Sequence, residues 1–437
     1  MSLLRLLTLP LFAILFVQLT GCNSGNSANS NNSNNSNSPE TQVTPATPTT
    51  PDAPTIPQPP VEPVLIEMPT APAPEPLPIT TAELAEGWIQ LFDGATLFGW
   101  QAATQANWQV TDGAITVSDG DAGLLYTTTE FSNYTLHLEF KSDPETNSGI
   151  FLRTRGTPTD PAKDCYEFNI APLDNPFPTG SLVARKRVTP QVDSSQWHTI
   201  QITVLDDQVS ALLDGNLVLD YQDPTPLGKG HIGLQLNSGA IAFRNIRLKP
   251  LALTTIFNGK DLTGWVEYPE MESDFSVTAD GFLNVKNGKG QLETERHYAD
   301  FVLQLECISH LERLNSGIFF RCIPGAEMMG YESQIQNGRQ GDDPTVPEDC
   351  GTGGIFRRQD ARRIVAQDKQ WFHKTIIACD DHIAVWVNGY QVTDWTDTRK
   401  PHENPRRGLR TAAGSIMIQG HDPTTDLSFR NLRISEL

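Results

Sequence analysis

The stretch Leu91–Trp100 (LFDGATLFGW) returns as Ile256–Trp265 (IFNGKDLTGW). Self-similarity at this distance means one structural unit present twice. Further landmarks recur in the same order. Asn147-Ser148-Gly149-Ile150-Phe151 matches Asn315-Ser316-Gly317-Ile318-Phe319, with Arg153 and Arg321 each two residues beyond the Phe. Tyr166-Glu167 matches Tyr331-Glu332, and Gln196-Trp197-His198 matches Gln370-Trp371-Phe372. The turn Asp214-Gly215 answers Asn388-Gly389, and Phe243-Arg244-Asn245-Ile246-Arg247 answers Phe429-Arg430-Asn431-Leu432-Arg433. The chain is a tandem duplication with its boundary near Pro250, giving repeats over 81–250 and 251–437.

Within each repeat, short alternating runs such as Tyr134–Phe140 and Thr199–Leu205 are separated by Asp-Gly and Asn-Gly turns. Period-two alternation bounded by such turns predicts antiparallel strands. No stretch of either repeat offers a long amphipathic helix. The expected fold is all-β: two packed sheets per repeat, as in jelly rolls of the lectin and glucanase type.

The first 80 residues cannot share that core. Arg5 precedes an apolar run from Leu6 to Val17, too short to span a bilayer comfortably, followed by Leu19-Thr20-Gly21-Cys22. This reads as a signal segment over 1–21, removed on export. The quartet resembles a bacterial lipobox, which implies lipidation of Cys22 and a protein held on the cell envelope without a spanning helix. From 22 to 80 the chain is Asn/Ser-rich and then Pro/Thr/Ala-rich, a composition that cannot offset its ordering entropy and predicts a disordered tether.

The net charge of −20 argues against a nucleic-acid or anionic-membrane surface. Of six cysteines, Cys22 is assigned to lipid and Cys165 stands alone in the first repeat. Cys307, Cys322, Cys350 and Cys379 permit three pairings, among which Cys307–Cys322, flanking a hairpin-like loop, is the first expectation. None of the CxxC or HExxH spacings of a zinc site is present. Acidic loops at Asp342-Asp343 and Asp380-Asp381 offer the hard oxygens that a structural calcium takes. A monomer is expected.

The FDG-x-x-L-x-GW opening, the NSGIF-x-R strand, the YE pair, the Trp followed by a D/N-G hairpin, and the closing FRN-[IL]-R strand together resemble the 3-keto-disaccharide hydrolase domain family, over nearly all of both repeats. The resemblance implies a concanavalin A-like sandwich that handles carbohydrate. It also implies cleavage of glycosides whose sugar carries a ketone at carbon 3. Such a ketone acidifies the hydrogen at carbon 2, so the glycosidic bond can break by elimination followed by addition of water. The site then needs a base near carbon 2 and donors or a cation for the enolate oxygen, and not the carboxylate pair of ordinary glycosidases.

Alternation places Glu332 and Gln334 on one face of their strand, with Tyr331 and Ser333 on the other; Glu167 and Asn169 do the same in the first repeat. A carboxylate and an amide projecting together from mid-strand suit a concave binding face better than a core. Arg153 and Arg321 fall in phase with Asn147 and Asn315, so they are expected to bind sugar hydroxyls, to stabilise an enolate, or to pair with Glu167 and Glu332. His421, in Gln419-Gly420-His421, is a candidate base with an unperturbed pKa of about 6.5. The first repeat has Gln235-Leu236-Asn237 there, which favours the second repeat as the working copy. The basic clusters containing Arg185 and Lys186, and Arg357, are candidate clamps above the cleft. Trp100, Trp265, Trp197 and Trp371 are expected to pack the sheets. The rival to an enzyme is a lectin-like module of the same fold that binds carbohydrate without turnover.

Overall fold

The computed structural model describes residues 73–75 and 79–437; the leader, Cys22 and most of the 22–80 tether lie outside the described residues. Among them, no helix is long and apolar enough to cross a membrane. Residues 81–86 form one helical turn and a half, capped by a reciprocal Thr80–Glu83 capping box and ended by Gly87 at φ +92°. The rest is almost wholly antiparallel sheet.

Each repeat is a sandwich of an eight-stranded and a five-stranded sheet with the same strand order. In the first repeat the small sheet runs Trp100–Ala102, Gly123–Thr127, His231–Leu236, Ser148–Thr154, Tyr166–Ile170. In the second it runs Trp265–Glu267, Gly290–Thr294, Ser415–Gly420, Ser316–Cys322, Tyr331–Ile335. The core lies between the sheets. Leu136, Leu138, Ile200 and Ile202 of the first large sheet meet Leu125, Ile150, Phe168 and Leu234 of the small one, all buried. Leu303, Leu305, Ile376 and Val385 meet Leu292, Ile318, Phe320 and Ile418 in the second. This is the jelly-roll architecture that the alternating runs predict.

The closing FRN-[IL]-R motif is a β-bulge. The register of Ile241–Pro250 against Tyr134–Ser142 shifts between Arg244 and Arg247, and Asn245 and its counterpart Asn431 both sit at φ +53°, a conformation that asparagine tolerates better than most residues. Each Asn amide and the Arg before it hold a glutamate on the neighbouring strand, Glu139 or Glu306. Trp197 and Trp371 lie under the guanidinium groups of Arg244 and Arg430, 3.9 and 4.1 Å from ring centre to Cζ. Trp100 and Trp265 are buried, their indole N–H groups donating to Leu91 and Ile256 carbonyls. The tryptophans therefore pack the sheets, as expected.

The expected Cys307–Cys322 pair is not formed, and the five cysteines among the described residues are all free and buried. Cys307 points into the core between the sheets, whereas Cys322 lies with Phe319 and Met417 on the outer face of the small sheet. Their strands belong to opposite sheets, Phe301–Ser309 to the large one and Ser316–Cys322 to the small one, so the two thiols lie in different layers.

The two repeats differ on the outer face of the large sheet. In the first repeat that face carries Thr135, Gln201, Thr203 and Ser210, whereas the second has Val302, Thr375, Ile377, Ala384 and Trp386. Val302, Ile377, Ala384 and Trp386 are buried with the first repeat's Ile89 and Leu91 in one apolar cluster. Trp386 Nε1 donates to Gln90 O at 2.8 Å, Gln304 Nε2 to Gly87 O at 2.8 Å, and Gln90 N to Gly389 O at 2.8 Å. Arg362 reaches Asp93 at 2.9 Å and stacks on Phe98 and Tyr390. The tandem copies are thus one packed body. Trp386→Ala should cost on the order of 3–5 kcal/mol, and urea unfolding followed by fluorescence and circular dichroism should show both repeats melting in a single transition. Two transitions, only one of them moved by the substitution, would contradict this.

Candidate functional site

The small sheet of each repeat has one face in the core and the other turned outward beneath loops. Register pairing fixes what the outward face carries. Across four strands of the second repeat one rung reads Glu293, Met417, Phe319, Glu332, and the neighbouring rung carries Gln291, Gln419, Gly317 and Gln334. Glu332 and Gln334 therefore share the outer face, while Tyr331 and Ile335 join the core, as alternation predicts. The glycine of the NSGIF strand has a local reason. A Cβ on Gly317 would lie 2.8 Å from Glu332 Cγ, and one on Gly149 would lie 3.1 Å from Glu167 Cγ. Each glutamate lies flat across a strand that has no side chain there.

Glu332 is 6% exposed and its carboxylate meets Arg406 Nη2 at 3.1 Å. Burial pushes its pKa up, and the Arg406 charge and, more weakly, His421 oppose that rise. Around it, Gln334 Oε1, Gln419 Oε1 and Gln291 Nε2 are buried polar atoms without a protein partner. Gln334 Nε2 and Asn315 Nδ2 both donate to Asp349, at 3.1 and 2.5 Å, which fixes that edge of the face. Gln419 Nε2 faces Met328 Sδ at 3.2 Å. His421 is exposed and hydrogen-bonded through Nδ1 to Asp422 at 2.9 Å, with no partner for Nε2 among the described residues. Glu293 is fully engaged by Tyr268, Ser415 and the Gly325 N–H. Behind the strand, Lys374 is buried and donates to the Ser333 and Gln334 carbonyls at 2.9 and 2.8 Å, burial pulling it down to about 7. Its first-repeat counterpart is Ile200.

In the first repeat the same rung reads Tyr126, Gly233, Phe151, Glu167. A cavity of about 360 Å³ lies over Glu167, walled by Leu124, Phe151, Pro158, Pro161 and Gln235. Glu167 is 8% exposed. Burial pushes it up to about 7, opposed only by a hydrogen bond from Gln235. Asn169 does not face this cavity freely: its amide donates to Phe177 O. Asn147 bridges by its backbone to Ser238 at the strand end.

The two arginines of the NSGIF-x-R strands are a correction. Arg153 and Arg321 sit at φ +46° and +47°, where the register against the next strand slips. The bulge breaks the two-residue phase and turns both side chains away from the glutamates. Arg321 is fully buried, donating to the carbonyls of Ala299, Asp380 and Arg410 and pairing with Asp300 at 2.9 Å. Arg153 does the same with Ser132, Asp206, Leu227 and Asn133. Both tie loops together and neither meets Glu167 or Glu332.

The basic residues of the two clusters take separate places, Arg357 on the Phe356 ring that Arg406 also meets. Arg185 stacks on Tyr166, lies 3.6 Å from Asp223 and donates to the carbonyls of Pro161 and Ala162 at 2.8 Å; it braces the cavity wall. Lys186 donates to Asp220 O, and Arg357 is exposed over Phe356. The cation at Glu332 is instead Arg406, from the segment 397–414, which in the first repeat is only 223–230. That length difference was the available signal.

For calcium, donor atoms of Glu130, Cys379 and Asp380 lie within 4.8 Å of one another where the repeats meet. Lys229 Nζ is already there, 2.9 Å from Asp380, 2.9 Å from Cys379 Sγ and 2.6 Å from Asp300. An ammonium supplies the charge, and a thiol is a poor calcium ligand, so these residues do not suit that ion. Asp343 is spent on the Thr345 turn.

A carboxyl group raised in the folded state costs stability as pH climbs. Glu167 binds its proton more tightly folded than unfolded, so its contribution is most favourable below about 4.5 and is lost progressively as pH rises to about 7. Glu167→Gln should remove this loss and raise stability at pH 8 relative to wild type by on the order of a few kcal/mol, measured by urea unfolding at pH 5 and pH 8. Equal pH slopes in the two proteins would show that Glu167 is not desolvated.

Comparison with known proteins places these features. A family model for the 3-keto-alpha-glucoside-1,2-lyase-like domain matches residues 87–249 and again 252–435. A 3-keto-disaccharide hydrolase from Bacteroides thetaiotaomicron is 35% identical over 79 residues, 15% of this chain and 27% of that enzyme's length. Among solved structures, a provisionally assigned glycosyl hydrolase from Parabacteroides distasonis aligns with 21% identity and a TM-score of 0.36, over 40% of this chain and 98% of that one. A carbohydrate-binding module from Bacillus subtilis aligns with 16% identity and a TM-score of 0.29, over 34% and 94%. With its two matched segments together covering most of the chain, the protein belongs to the 3-keto-alpha-glucoside-1,2-lyase-like domain family.

Proposed function

We propose that this protein cleaves 3-keto glycosides by elimination and hydration, and that the outer face of the second repeat's small sheet is the working site. The observation that carries this reading is Glu332: a desolvated carboxylate, faced by one guanidinium, in a ring of buried amides with unpaired polar atoms. Its raised pKa makes it a stronger base than an ordinary glutamate. In the proposed step the carboxylate takes the proton from carbon 2. The electron pair moves onto the carbon 3 oxygen as an enolate, beside Arg406. Collapse of the enolate forms the carbon 1–carbon 2 double bond and expels the aglycone, protonated by His421 or water. Water then adds across that double bond at carbon 1. Arg406 acts where negative charge develops, the placement that most lowers such a barrier.

The Leu19–Cys22 quartet supports envelope anchoring by lipid on Cys22, which places the reaction outside the cytoplasm.

Glu332→Gln should lower aglycone release from a 3-keto-glucoside by about 10²–10⁴-fold, followed with a chromogenic aglycone, while the unoxidised parent is untouched by either protein. Release that survives this substitution rules out Glu332 as base. Arg406→Met removes the cation that opposes the rise in Glu332 pKa, so the acid limb of the kcat/KM profile should move to higher pH; an unmoved limb would mean that another group titrates.

A further inference from the structure

We propose that the first repeat's cavity is a separate site that holds an uncharged glycoside, through its apolar face, without cleaving it. This rests on the reading of the second repeat as catalytic only for the contrast between them. The cavity itself is observed. Its volume of about 360 Å³ falls at the lower end of small-molecule pockets, about 300–1,000 Å³, and suits a small glycoside.

The rung-by-rung comparison gives the chemistry. Glu293 is replaced by Tyr126, Met417 by Gly233, Gln291 by Leu124 and His421 by Asn237. Glu167 is the one acidic or basic side chain among the described residues lining the cavity. It has no guanidinium beside it, since the segment that brings Arg406 is short in this repeat. An enolate formed here would meet no cation, and a leaving group would meet no imidazole. The walls are largely apolar: Leu124, where the second repeat has Gln291, faces the space with Phe151, Pro158 and Pro161, and Cys165, pushed up to about 12 by burial, stays a neutral thiol. Sugar rings have an apolar face that packs on such walls, and aryl aglycones more so. Polar groups are also present: Glu167, Gln235, whose Oε1 is buried without a protein partner, and Thr104, Thr157 and Asn237 on the lining. The wall at Pro161 is not loose, because Arg185 clamps its carbonyl and that of Ala162.

The test is calorimetric titration of the full chain with unoxidised 4-nitrophenyl β-glucoside, alongside Thr157→Trp, which places an indole from an exposed loop position into the cavity mouth, and Glu332→Gln. Saturable binding is expected, weakened about tenfold or more by Thr157→Trp and unaffected by Glu332→Gln, with cleavage of the 3-keto-glucoside by Thr157→Trp within about twofold of wild type. The proposal is overturned by absence of binding, by affinity that Thr157→Trp leaves unchanged, by affinity that Glu332→Gln abolishes, or by keto-glucoside cleavage that Glu167→Gln abolishes. Absence of any cleavage by the wild type would refute the second repeat's role while the binding arm still decides this one.

Discussion

Two glutamates buried on the outward face of a sheet set the terms for everything around them. A desolvated carboxylate is unfavourable unless charge or hydrogen bonds compensate, and each repeat meets that cost in its own way. In the second, Arg406 comes over the face from a long segment and leaves the group ionisable. In the first, nothing cationic arrives, and the carboxyl keeps its proton to about neutral pH. The glycine beneath each glutamate follows the same side chain.

The duplication made much of the fold legible. Alternation located the strands, and it put Glu332 and Gln334 on one face because that strand pairs without a slip. It failed at Arg153 and Arg321 because a single residue at positive φ inserts a bulge, and a bulge reverses the face of every side chain beyond it. Nothing in the motif NSGIF-x-R distinguishes an arginine in phase from one at a bulge. Arg406 was missed for a different reason: it has no counterpart in the other copy, so comparing repeats by shared motifs passes over it.

The pairing of Cys307 with Cys322 failed because the two strands do not form a hairpin at all: one belongs to the large sheet and the other to the small one. The exchange of Thr135, Gln201 and Thr203 for Val302, Thr375 and Ile377 was, by contrast, open to reading. A face that is polar in one copy and apolar in the other has acquired a cover, and here the cover is the other copy. Duplication followed by fusion of surfaces leaves the two sites free to diverge while neither sandwich stands apart.

That fusion extends to residues ahead of the first repeat. Arg363 of the second repeat holds the carbonyl of Ala73 and the carboxylate of Glu75, and Tyr390 holds the carbonyl of Pro74. The chain therefore touches the second sandwich before it enters the first. Tension on the chain from its N-terminal side would fall on the contacts that residues 73–75 make with the second repeat before it reached the first.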